Sequence, residues 1–166
     1  MDEGSLEKVQ ADDAMAILAD ERDLLWLAIE GVEQAGAELS FNVHMLAREE
    51  PTEPPVPFLS GYGYREPLAG LRALVKELGA AASGEVIALR HDPISDGLSI
   101  ELKAQRGGES FEVVLWLDLL RMSRAMRARA TRGRQQSGLR FFCSRGALAQ
   151  FSAQLSLFLT ESRALQ

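Results

Sequence analysis

Two segments of this chain repeat one spacing of apolar residues, and that spacing is typical of a helix with one buried face. The apolar residues recur at steps of three, four and three: Leu68, Leu71, Val75 and Leu78 in the first segment, and Leu148, Phe151, Leu155 and Phe158 in the second. Such a helix needs an apolar surface to cover its buried face. Since each segment follows stretches with strand-like alternation, we expect both helices to pack on a sheet.

Several stretches alternate apolar and polar residues with the period of two that half-buried strands show. The candidates are residues 24–30, 38–45, 58–64, 86–90, 98–105, 111–119 and 139–143. We therefore predict an α+β fold in which a mainly antiparallel sheet of about six or seven strands is packed by two amphipathic helices. The order of the elements predicts two roughly similar strand–strand–helix halves. At 166 residues the chain fits one domain, residues 1–166.

The segments outside these elements have distinct signatures. Residues 1–12 are polar and are expected to be frayed, and a short helix is predicted over residues 14–21. Residues 49–57 contain four prolines, so we expect an extended, solvent-facing loop there. At the matching place in the second half, residues 121–137 are predicted to form a basic arm or loop. Gly79 is expected to end the first helix, and Ser144 to cap the second.

Charge is divided unevenly along the chain. Residues 1–60 contain 14 acidic and 3 basic side chains, whereas residues 61–166 contain 10 acidic and 15 basic side chains. Much of the basic charge comes from one arginine-rich segment: Arg121, Arg124, Arg127, Arg129, Arg132, Arg134, Arg140 and Arg145. This asymmetry suits an electrostatically steered protein partner at least as well as nucleic acid.

The composition indicates a cytoplasmic protein. No run of about 18 apolar residues is present, so the sequence predicts no membrane span. The N-terminal residues are acidic, whereas a secretory signal begins with basic residues that precede an apolar stretch. Cys143 is the only cysteine, so the chain cannot form an internal disulfide.

The residue types that carry enzyme chemistry are sparse. The chain has two histidines, His44 and His91, and neither has a neighbouring pattern that indicates a catalytic triad. A metal site needs three or four converging ligands, which the two histidines and Cys143 do not suggest. We therefore interpret both histidines as ordinary surface residues and Cys143 as a small core residue. The sequence predicts no catalytic residues, no metal, no cofactor and no enzymatic activity.

The order of elements, with the segments Asp23–Glu30, Leu68–Leu78, Arg90–Pro93 and Leu139–Phe158, resembles the WapI-like immunity proteins of bacterial polymorphic, contact-dependent toxin systems. The resemblance implies a non-enzymatic inhibitor that binds one cognate toxin domain, commonly a nuclease, and occludes its active site. It supplies no catalytic residues, since the family has none to transfer.

The sequence supports two alternative predictions for the surface that binds a partner. For a basic toxin partner, the expected contacts are Glu49, Glu50 and Glu53 of the proline loop, followed by Tyr62 and Tyr64, since tyrosine is favoured at interfaces. The alternative interpretation of these residues is that the glutamates are an ordinary solvated charge run and that the tyrosines pack within the sheet. The alternative is a regulatory or adaptor module that contacts nucleic acid or an acidic protein through the segment Arg121–Arg145. The consecutive residues Phe141 and Phe142 must face opposite ways on a strand, which is unlike a base-stacking platform.

Overall fold

A computed structural model describes residues 15–92, 98–118 and 136–161 of the chain. The first sheet contains β1 (Ala16–Ala19), β2 (Leu25–Ala35), β3 (Glu38–Ala47) and β4 (Val56–Pro67), followed by helix α1 (Leu68–Ser83). The second sheet contains β5 (Ala88–His91), β6 (Leu98–Ala104), β7 (Ser110–Asp118) and β8 (Gln136–Ser144), followed by helix α2 (Arg145–Glu161). The predicted frayed segment 1–12 lies outside the described residues, as does most of the predicted basic arm.

The fold is α+β, as predicted, and residues 15–92, 98–118 and 136–161 contain two helices, but the prediction of one sheet with six or seven strands is wrong. Within these ranges eight strands form two four-stranded antiparallel sheets, in the orders β1-β2-β3-β4 and β5-β6-β7-β8. The additional strand is β1, where the sequence predicted a short helix over 14–21. Ala16 and Leu18 are buried while Ile17 is not, which is the alternation of a strand packed on one face. Each half is thus four strands and a helix.

The two helices bury equivalent positions, which confirms that the halves are similar. Counting from the first residue of each helix, the buried apolar residues stand at positions 4, 7, 11 and 14: Leu71, Leu74, Leu78 and Ala81 in α1, and Leu148, Phe151, Leu155 and Phe158 in α2. The buried face predicted for α2 is correct. In α1, Leu68 and Val75 are only partly buried, because Leu74 and Ala81 face the core instead.

Helix α1 ends later than the sequence predicts. Gly79 lies inside the helix, and the cap is Gly84, with φ of 85° in the left-handed region that glycine adopts at low cost. Gly84 N–H donates to the Ala81 carbonyl oxygen over 3.1 Å. At the start of α2 the predicted cap is confirmed, since Ala147 N–H donates to Ser144 Oγ over 3.1 Å.

The helices join the two sheets around one core. They pack on each other, and each also contacts the first strand of the other half: α1 contacts β5 and α2 contacts β1. On β1, Ile17 N–H donates to the side-chain oxygen of Gln154 over 2.9 Å. The sheets meet at two corners, where Glu21 N–H donates to the Phe142 carbonyl oxygen over 2.8 Å and His91 lies against Glu66. Within the described ranges, no helix is long and apolar enough to cross a membrane.

Candidate protein-binding site

The outer face of the first sheet carries an open groove, here called the outer groove, of about 460 Å³. Strand alternation creates it: Phe41, Val43 and Met45 point into the core, so that His44 and Leu46 on the same strand face outward. The apolar part of the groove is formed by Met15, Ile17, Trp26, Ala28, Leu46, Pro55 and Pro57. Four side chains with ionisable groups complete it: Asp23, Glu30, His44 and Arg48.

Arg48 closes one end of the outer groove and holds the proline loop in place. Its guanidinium pairs with the Asp23 carboxylate, donates from Nε to the Asp23 carbonyl oxygen over 2.8 Å, and donates from Nη1 to the Glu53 carbonyl oxygen over 3.1 Å. The guanidinium carbon also lies 4.5 Å from the ring centroid of Trp26. These contacts tie the β3–β4 loop to the β1–β2 connection, so the loop is presented in a defined position.

A polar network crosses three strands at the other end of the outer groove. His44 Nε2 lies 2.6 Å from Glu30 Oε1 on β2, and His44 Nδ1 lies 2.7 Å from Ser60 Oγ on β4. The ring of Tyr62 packs edge-on against His44, with centroids 5.6 Å apart. The network fixes the orientation of the Glu30 carboxylate beside the apolar floor.

The interpretation of the histidines as ordinary surface residues is wrong. The side chain of His44 is only 14% exposed and that of His91 only 13%, and each is paired with a glutamate. The sequence does not predict the pairing of His44, because Glu30 lies 14 residues and Ser60 lies 16 residues away from it along the chain. Only the strand register, with His44 opposite Ala28 and Ser60, makes them neighbours.

The structure separates the predicted contact residues into two groups. Glu49, Glu50 and Glu53 are exposed on the β3–β4 loop, and Tyr62 is 57% exposed beside the outer groove. Tyr64 is fully buried, with its ring 6.2 Å from that of Phe41, so the prediction that Tyr64 contacts a partner is wrong. The reason is a register shift in the β3–β4 pairing between Phe41 and Val43, which turns Tyr64 toward the core.

The edge strand β4 adds an apolar surface that the sequence did not reveal. Val56 and Phe58 are exposed next to the outer groove, together with Tyr62. β4 pairs with β3 on one side and stands at the end of the first sheet. Exposed apolar residues on an edge strand mark a surface suited to a partner.

The second sheet has a different outer face. Its groove, of about 480 Å³, is lined by charges of both signs, including Arg90, Glu101, Lys103 and Glu112. Trp116 and Phe142 are exposed there, while Phe141 is buried, so the two consecutive phenylalanines do face opposite ways. Because the charges alternate in sign, this face does not favour a partner of one charge.

Two arginines of the arginine-rich segment have intramolecular partners. Arg140 pairs with Glu112, and Arg145 donates from Nη2 to the Gly108 carbonyl oxygen over 2.6 Å. The remaining six, at positions 121–134, lie outside the described residues. Gln136 and Ser137, predicted to end the basic arm, begin β8 instead.

Cys143 occupies the core position that the sequence predicts for it. Its side chain is fully buried on β8. Burial raises the pKa of the Cys143 thiol to about 12, and the nearby carboxylate of Glu21 contributes to the rise. Among the residues that the structure describes, no three histidine, cysteine or acidic side chains are grouped so as to hold a metal ion.

No family model matches the sequence, and no curated protein matches it either. Among solved structures, a chain from a guide-RNA-binding protein complex bound to a guide RNA aligns with 96% of this chain and 94% of its own length. The two share 11% sequence identity, with a TM-score of 0.40. A similarity of this size carries no inference about fold or function.

Proposed function

We propose that this chain is a non-enzymatic, cytoplasmic binding protein that inhibits a cognate bacterial toxin domain, such as a basic nuclease, by occluding its active site. The observation that carries the proposal is the set of exposed carboxylates of Glu49, Glu50 and Glu53 on a loop that Arg48 holds in place. A positioned anionic loop complements a basic surface of the kind that grips phosphates. The resemblance to WapI-like immunity proteins supplies the class of partner.

The surrounding charge supports a basic partner. Residues 15–67, which form the first sheet, contain ten acidic and three basic side chains. Two of these bases, Arg22 and Arg48, are paired with Asp20 and Asp23. The field around the loop is therefore negative, which raises the rate of association with a cationic protein and lowers that with an anionic one.

The test uses the toxin domain encoded beside this chain's gene. Co-expression should restore growth, and the purified chain should inhibit the purified domain. In the triple variant Glu49→Gln, Glu50→Gln and Glu53→Gln, the association rate at low salt should fall by about tenfold, and its salt dependence should flatten.

A matched triple variant controls for total charge. Glu33, Glu38 and Glu77 are also exposed and lie on the β2–β3 hairpin and on α1. Their replacement by glutamine removes the same charge away from the loop, so association should slow by less than twofold. Equal slowing of association in both triple variants would show that the loop glutamates do not contact the partner.

The nucleic-acid alternative makes an opposite prediction about salt. It depends mainly on the arginines at 121–134, since Arg140 and Arg145 have intramolecular partners. A filter-binding titration of the full chain with single-stranded and duplex nucleic acid distinguishes this alternative from the proposed inhibition of a toxin. Tight binding that weakens steeply with salt reports phosphate contacts and would contradict the proposal.

A further inference from the structure

The outer groove already holds one guanidinium, that of Arg48, and this contact indicates which chemistry the groove accepts. The planar group stacks over Trp26 and meets the Asp23 carboxylate at the rim. Stacking on an aromatic ring combined with hydrogen bonding in the guanidinium plane favours arginine over lysine, whose compact ammonium cannot make both contacts.

The opposite end of the groove offers a second carboxylate, that of Glu30, beside an apolar surface rather than an aromatic ring. Glu30 lies four residues along β2 from Trp26, about 13 Å at the rise of a strand. Its Oε1 is held by His44, and among the residues the structure describes its Oε2 has no hydrogen-bond partner. Ala28 lies beside it on β2, and Leu46, which pairs with Trp26, continues the apolar floor toward the Arg48 end. This end therefore offers an oriented carboxylate and an apolar floor.

We propose that the Glu30 end of the outer groove binds an arginine side chain carried by an extended, basic segment of the protein partner. The inference rests on the proposed function and names the part of the partner that the groove holds. The guanidinium donates to Oε2 of Glu30, and the aliphatic part of the side chain covers Ala28 and Leu46.

Charge and shape both favour such a segment. The glutamates of the proline loop stand at the rim near Pro55, so a cationic segment is attracted along the whole groove. The groove is open rather than enclosed, which admits a main chain as well as a side chain. The exposed apolar residues Val56 and Phe58 on β4 lie beside its rim and can cover the segment's own apolar groups.

A synthetic probe tests the groove. It is a blocked seven-residue peptide of glycine, serine and two arginines spaced two residues apart; its control carries citrulline, which has nearly the same shape without the charge. Each peptide is titrated into the full chain and followed by ¹⁵N–¹H NMR. The arginine peptide should shift the signals of Ala28, Glu30 and His44, and the citrulline peptide should not. Trp116 on the second sheet should stay unchanged.

Two variants on β2 distinguish a specific contact with the Glu30 carboxylate from the general effect of losing one negative charge. Glu30→Gln keeps an oxygen for His44 and should weaken the arginine peptide by about tenfold. Glu33→Gln removes the same charge at an exposed position of the same strand and should weaken it by less than twofold. Equal weakening by both would overturn the inference. The comparison of the two peptides on the unmodified chain needs no variant, so it decides the matter if Glu30→Gln does not fold.

Other occupants of the groove give recognisable results that also overturn the inference. Self-association would shift Trp26 with protein concentration alone. If the chain's own residues 119–135 fill the groove, the peptide would bind only after glutamine replaces their arginines: Arg121, Arg124, Arg127, Arg129, Arg132 and Arg134. If the chain neutralises the toxin domain but the peptide does not shift the signals around Glu30, the groove assignment fails while the proposed function stands. The reverse result refutes only the function.

Discussion

The carboxylate of Glu66, at the end of the first sheet, lies 3.4 Å from His91 Nε2 in the first strand of the second sheet. Glu66 is only 3% exposed, and within the described ranges its Oε1 has no hydrogen-bond partner. The pair therefore bridges the two halves at a corner where a polar group is out of contact with water. A buried carboxylate without its partner is strongly unfavourable.

We expect His91→Ala to lower the free energy of unfolding by about 1–3 kcal/mol, because it leaves the Glu66 carboxylate unpaired. Denaturant unfolding measures the change. Arg90→Ala is the control on the same strand: Arg90 makes exposed ion pairs with Asp92 and Glu101, and its loss should leave the free energy of unfolding nearly unchanged. In a Glu66→Gln background, His91→Ala should lower the free energy of unfolding by less than it does in the unmodified chain. An equal loss in both backgrounds would show that Glu66 and His91 contribute to stability independently.

Arg48→Lys should loosen the proline loop, because lysine cannot reproduce the stacking on Trp26 together with the bonds to Asp23 and Glu53. We expect a loss of about 1–2 kcal/mol in the free energy of unfolding and faster amide exchange over residues 49–54. Hydrogen exchange measures the second effect directly. Arg22→Lys, at an exposed arginine that keeps its charge toward the buried Asp20, should change neither quantity measurably. Unaltered exchange in Arg48→Lys would mean that other contacts hold the loop.

Two glycine-to-alanine changes should have opposite signs. A Cβ on Gly61 would lie 2.1 Å from Tyr64 Oη, so Gly61→Ala must displace a fully buried ring and should destabilise by about 1–3 kcal/mol. Gly79 lies inside α1, where a Cβ would meet only Ser152 Oγ at 3.7 Å. Gly79→Ala should therefore stabilise the chain by about 0.5–1 kcal/mol. Thermal and denaturant unfolding report both, and a stable Gly61→Ala variant would contradict the placement of Tyr64.

The Cys143 thiol should be unreactive in the folded chain. Since burial raises its pKa to about 12, almost no thiolate is present at pH 8, and a disulfide reagent should modify it only after unfolding. Its contribution to stability is complete below the unfolded pKa, near 9, and is lost as the pH rises toward 12, because only the unfolded thiol ionises in that range. The Cys143→Ala variant should lack this part of the alkaline decline. Rapid labelling of the native chain would show that the thiol is accessible.

The local features of this chain could be predicted from its sequence because neighbouring residues determine them. The alternation in β3 and β6, the cap at Ser144 and the burial of Cys143 each depend on a short segment. The buried face of α1 was misassigned because Leu68, Leu71, Val75 and Leu78 have the same spacing as the true set. Only packing against α2 selects Leu74 and Ala81.

The sequence by itself determined the periodicity of the helices and strands, the proline loop and the acidic charge of the first half. Only the three-dimensional packing shows that there are two sheets, that Tyr64 faces inward and that Glu30, His44 and Ser60 meet at one end of the outer groove. The physical reason is that strand register and bulges set which side chains face each other across a sheet. These pairings join residues far apart in the chain, whereas helix spacing and turn chemistry act over a few residues.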